Sequence, residues 1–63
     1  MTLREMRERA GLTLEDVGRV VGVGRGAVCY WEKGKSSPRI KVLDRLASLY
    51  GVSVQQILEA VKR

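Results

Sequence analysis

Arg25, Tyr30 and Lys33 fall within nine residues, RGAVCYWEK, and bring together a guanidinium, a phenol and an ammonium. On a helical wheel at about 100° per residue, with Arg25 at 0°, Lys33 falls at about 80°, Gly26 at about 100° and Tyr30 at about 140°. Ala27, Trp31 and Val28 occupy the opposite arc, from about 200° to about 300°. Burying that apolar arc turns Arg25, Tyr30 and Lys33 outward. Cys29, at about 40°, shares the outward side, and Glu32, at about 340°, lies on the border. These outward groups are donors rather than nucleophiles or bases. Their chemistry is recognition, in which hydrogen bonds and positive charge are aimed at an anionic, acceptor-rich surface.

The charge balance agrees. Twelve Lys/Arg stand against seven Asp/Glu, a formal net charge of +5. Residues 19–45 hold seven of the bases and only two of the acids, Glu32 and Asp44, so the whole excess sits in the middle of the chain. A basic stretch can be a merely solvated face, but this concentration in so short a chain points to a polyanion. Catalysis is poorly supported. There is no histidine, and Cys29 is the single cysteine, so neither an internal disulfide nor a multi-ligand metal site is expected. Gly22-x-Gly24-x-Gly26 follows no strand and lacks the context of a phosphate loop. No enzyme activity, cofactor, metal or small-molecule ligand is expected. No apolar run approaches the roughly 20 residues of a membrane span, and Met1 to Glu5 mixes acid and base, so a cytoplasmic protein is expected.

Five helices must position these groups. Thr2 with Glu5, Thr13 with Asp16, and Ser53 with Gln56 have the spacing of capping boxes, which open the first, second and fifth helices. Gly11, Gly22, Gly34 and Gly51 stand where the first four should stop. The third runs from about Arg25 to Lys33. Ser37-Pro38 reads as cap and first position of the fourth. The expected apolar faces are Leu3, Met6, Arg7 and Ala10; Leu14, Val17, Val20 and Val21; Ile40, Leu43, Leu46, Ala47 and Tyr50; and Val54, Ile57, Leu58 and Val61. A single all-α domain over residues 1–63 follows, with loops of two to five residues and a helix-turn-helix over about 14–33. At 63 residues it is near the lower limit for unaided folding, so packing must supply the stability, with dimerisation as a further source.

At this point a resemblance becomes specific. Leu3-Arg4-Glu5-Met6-Arg7, Ala10-Gly11-Leu12-Thr13, Gly22-Val23, Trp31-Glu32-Lys33-Gly34-Lys35 followed by Pro38, Leu46-Ala47 and Gly51-Val52-Ser53 occur in order and at the right spacings. Together they resemble the Cro/C1-type (Xre-like) helix-turn-helix domains of phage repressors and bacterial regulators, over essentially the whole chain. The resemblance implies a compact five-helix, lambda-repressor-like fold and sequence-specific binding of double-stranded DNA. By position it implies base contacts from Arg25, Gly26 and Tyr30, and backbone contacts from Gly24, Lys33, Lys35, Ser36 and Arg39. It also implies that Glu32 pairs with Arg7, against the alternative of a DNA-facing negative selector. The residue types suit these roles: Arg25 can donate two bonds to guanine O6 and N7, and lysines favour phosphate.

The chain departs from the pattern at Leu14 and at Gly24 and Gly26, two glycines carried by the recognition helix, where an interior Gly costs roughly 1 kcal/mol against Ala. Leu14 stands where many relatives carry a phosphate-binding Gln, so that contact is not expected. Gly26 either permits close backbone approach or reads nothing. Cys29 is either a small filler or a redox sensor. A domain this small offers few base contacts, so a homodimer on a palindromic operator is expected, with the fifth helix and the Tyr50–Val54 region as dimer surface or as core. The alternative is a protein-interaction or antitoxin-like module that uses the same fold without base readout.

Overall fold

The computed structural model describes residues 1–61. They form α1 (Leu3–Arg9), α2 (Leu14–Val21), α3 (Arg25–Lys33), α4 (Ile40–Tyr50) and α5 (Val54–Val61), with no strand among them. Three helices begin on reciprocal caps. The Glu5 N–H donates to Thr2 Oγ1 at 3.1 Å while the Thr2 N–H donates to Glu5 Oε1 at 2.7 Å. Asp16 and Thr13 repeat this at 3.0 and 2.9 Å, and Gln56 and Ser53 at 3.1 and 2.9 Å. Each arrangement satisfies N–H groups that no helical carbonyl can reach.

The start of α4 differs from the sequence expectation. Ser37 and Pro38 lie outside the helix, whose N-cap is Arg39 in an extended conformation. The Val42 and Leu43 N–H groups close the first turn onto the Arg39 carbonyl at 2.9 and 3.0 Å. Pro38 is buried, so its ring serves the core instead of opening a helix. As a result the α3–α4 connection, residues 34–39, is longer than the expected two to five residues.

Every helix contributes to the core. Leu46 of α4, Ile57 of α5, Val17 of α2 and Val28 of α3 are essentially sealed from solvent, with Leu3 and Met6 of α1 closing one side. Cutting back a side chain in such a position costs about 2–5 kcal/mol, a large share of a small domain's stability. Five residues expected on apolar faces lie outside. Ala10 is exposed, Val20 is 53% exposed and Ile40 84% exposed, and Val54 and Leu58 are more open than buried Ile57 between them. These helices are short, and a stripe wider than one neighbour can cover leaves its edge in water. Tyr50 is core, and Val52 is half-buried beside it. The Tyr50–Val54 segment therefore divides between core and surface, because Gly51, Ser53 and Val54 are exposed.

Candidate nucleic-acid interface

The turn between α2 and α3 sets where the third helix points. The N–H groups of Gly22 and Val23 both donate to the Gly18 carbonyl at 2.8 Å, and Gly22 takes φ 81°, a left-handed conformation that suits glycine. Gly18, buried inside α2, lets the chain fold back this tightly. A Cβ there would lie 2.5 Å from the Val23 carbonyl oxygen and 3.3 Å from the Gly24 carbonyl carbon. Sequence reasoning passed over Gly18. The available signal was a glycine inside a helical pattern four residues before the turn glycine, where it costs roughly 1 kcal/mol unless something needs the space.

Seated this way, α3 buries Val28 and Trp31 and half-buries Ala27. Arg25, Gly26, Tyr30 and Lys33 are exposed along its other side, Tyr30 at 52%. Gly24 is the N-cap of α3 rather than an interior residue, so it carries none of the interior-glycine penalty. Gly26 is interior to the helix and open: a Cβ there would meet nothing within 4 Å. Beyond the helix, the Lys35 N–H donates to the Tyr30 carbonyl at 2.9 Å, and Lys35 Nζ sits 5.9 Å from the centroid of the Tyr30 ring. This is the outer range of a cation–π contact, and it gathers phenol and ammonium into one exposed unit. Ser36 is exposed in the loop, and exposed Arg39 caps α4.

The acid of α3 is turned away from this surface. Arg7 Nε donates to Glu32 Oε2 at 2.6 Å and Arg7 Nη2 to Glu32 Oε1 at 3.3 Å, while Nη1 donates to the Leu12 carbonyl at 2.9 Å. Both side chains are nearly buried, at 12% and 10% exposure. Donating hydrogen bonds to the Glu32 carboxylate raises the Arg7 pKa above its ordinary value. Burial, with the Glu32 charge behind it, pushes the nearby Tyr50 hydroxyl up to about 12. With Glu32 engaged, the exposed side of α3 carries bases and neutral groups, and neither α3 nor α4 has an acid in its first turn.

The start of α2 is arranged differently. Thr13 and Asp16 hold each other's backbone N–H groups, and Leu14 is half-buried. That helix end is occupied by the chain's own acid. Cys29 is a half-buried free thiol in a hollow shared with Arg4, Arg7 and Leu14. No helix among the described residues is long and apolar enough to cross a membrane.

Comparison with known proteins agrees with this geometry. Residues 1–60 match the helix-turn-helix domain family. The chain belongs to that family. It is 35% identical over 60 residues to the HTH-type transcriptional regulator DdrOP3 of Deinococcus deserti, a match covering 95% of this chain and 46% of that protein. It is 32% identical over 56 residues to the cryptic phage CTXphi transcriptional repressor RstR of Vibrio cholerae, covering 89% of this chain and 50% of the repressor. An HTH-type transcriptional regulator of Methanocaldococcus jannaschii is 34% identical over 55 residues, with 87% of this chain and 83% of that protein covered. The chain thus spans about half the length of the first two relatives. No solved structure gives a significant match.

Proposed function

We propose that this chain binds double-stranded DNA sequence-specifically as a transcriptional regulator, in the manner of a repressor, with α3 in the major groove. The observation that carries the reading is the sorting of charge on α3. Arg25, Tyr30 and Lys33 are exposed on one side, and Glu32 is drawn off that side by Arg7. A major groove about 12 Å wide accepts a helix presented like this. In this reading Arg25, Gly26 and Tyr30 face base edges, while Gly24, Lys33, Lys35, Ser36 and Arg39 face the sugar–phosphate backbone. Few base contacts per copy favour two copies on a palindromic operator, and the work is done in the cytoplasm.

Selection from a random duplex pool, followed by binding measurements across salt concentrations, tests this. One sequence should be enriched, and its affinity should fall with salt at a log–log slope of about −0.9 per phosphate neutralised. Failure of every selected duplex to bind above the non-specific level would overturn the reading.

A further inference from the structure

Between the α2–α3 turn and the first turns of α4 lies a groove of about 740 Å³ that opens to solvent. Its walls are sorted by kind. Val23, Ala27, Trp31 and Val42 give it an apolar floor, while Arg39, Lys41 and Arg45 bring cations to it from α4. No acid lines the groove, and among the described residues none of the three cations is held in an ion pair. Ile40, 84% exposed, adds an apolar edge between the first two cations. Trp31 is only 7% exposed, yet its indole N–H meets no acceptor among the described residues and is not sealed from solvent. A buried indole N–H ordinarily has a partner, so this wall carries an unused donor as well.

We infer that this groove binds a small organic anion with an apolar body, of the class of medium-chain carboxylates. The two kinds of wall set two demands. An inorganic anion, or a phosphate of a duplex, answers the cations but leaves the apolar floor wet. A neutral apolar molecule dries the floor but covers three cations without giving them a counter-charge. A carboxylate on a short hydrocarbon chain meets both demands, because it fits the planar fork of a guanidinium and each methylene buried adds about fourfold in affinity. The volume lies within the roughly 300–1,000 Å³ of small-molecule sites. Because one side is open, binding is weak, with a dissociation constant on the order of 0.1–1 mM. The inference rests on the DNA reading only for its consequence: Arg39 is asked to serve both ligands, so a filled groove draws it from the sugar–phosphate backbone and weakens duplex binding.

Trp31 is the only tryptophan, so its emission reports on the groove directly. With the full chain free of DNA, octanoate should change that emission saturably, with a midpoint on the order of 0.1–1 mM. Amide shifts in heteronuclear spectra should concentrate in residues 21–31 and 39–45. Acetate and inorganic phosphate should give no saturable change at about 10 mM, and uncharged 1-octanol should bind about fivefold more weakly or worse. Ala27→Leu, which fills the floor, and Arg45→Gln, at an exposed position, should each weaken octanoate about fivefold or more, with folding checked by circular dichroism. Octanol binding as well as octanoate would overturn the inference, as would phosphate doing so or Arg45→Gln matching the wild type. Amide shifts confined to other surfaces would also overturn it. If octanoate binds and no duplex does, the DNA reading falls and this one stands. If both bind without opposing each other, only the shared use of Arg39 falls.

Discussion

Arg7 grips Glu32 with a two-pronged guanidinium–carboxylate pair, at 2.6 and 3.3 Å, that ties α1 to the last turn of α3 across 25 residues of sequence. Its third nitrogen holds the Leu12 carbonyl, so one side chain fixes the first helix, the loop after it and the candidate recognition helix together. Removing either partner strands a nearly buried charge. Arg7→Ala and Glu32→Ala should each cost about 3 kcal/mol in urea unfolding, whereas a volume-matched apolar double substitution should cost much less. Arg7→Lys should fall in between, because an ammonium cannot reproduce the fork. Equal losses for the single and double variants would show that packing, not charge pairing, is what matters here.

Gly18 and Gly26 should respond oppositely to the same substitution. Gly18→Ala places a methyl 2.5 Å from the Val23 carbonyl oxygen, so α2 and the turn must separate. A loss of about 2 kcal/mol is expected, with weakened duplex binding. Gly26→Ala has open space and should gain up to about 1 kcal/mol from helix propensity. Thermal unfolding reads both. If Gly26→Ala also binds the selected duplex unchanged, the glycine reads nothing; if affinity falls, close backbone approach is its role.

Arg25 and Lys35 should separate by the kind of loss they cause. Arg25→Ala should forfeit discrimination at one base pair by about 1–3 kcal/mol, measured on single-substituted duplexes. Lys35→Ala should weaken all sequences alike and flatten the salt slope by about one unit. Uniform losses for both would restrict Arg25 to phosphate.

Stability should fall at both ends of the pH scale. Hydrogen bonds from Thr2 and Thr13 hold the Glu5 and Asp16 carboxyls below their ordinary values of 4.5 and 3.8. Depressed acids contribute stability that is present above the unfolded value and lost as pH falls through the folded one, so urea midpoints should drop below about pH 4. Tyr50 behaves in the opposite sense. Between pH 10 and about 12 the folded state keeps a phenolic proton that the unfolded chain has shed, so stability declines as pH rises through that window. Tyr50→Phe should remove the alkaline limb and leave the acid one intact.

Much of this architecture is legible in local spacing. Reciprocal caps at Thr2, Thr13 and Ser53 involve partners three residues apart, so sequence alone exposes them. The outward side of α3 is likewise set by helical periodicity within nine residues. What sequence left obscure depends on distant parts of the fold. Whether Pro38 opens a helix or fills the core depends on the helices around it. The fate of Ile40, Val54 and Leu58 depends on how wide a stripe the neighbouring helix can cover. Gly18 matters through a contact with Val23 that exists only after the chain has turned back on itself.

The way the helices begin has a consequence for motion. The first turns of α1, α2 and α5 are clamped by side chains, whereas α3 and α4 start at Gly24 and Arg39 with no side-chain cap. A helix end without a capping side chain is weaker by roughly a few tenths of a kcal/mol where glycine is the cap, as at Gly24, and by about 1 kcal/mol otherwise, so the openings of the two helices that carry Arg25 and Arg39 should be the least anchored. Amide deuterium uptake should therefore be faster at residues 25–27 and 40–42 than at the first turns of the capped helices. Bound duplex should slow it, so part of the free energy of recognition is spent in quieting the protein's own backbone.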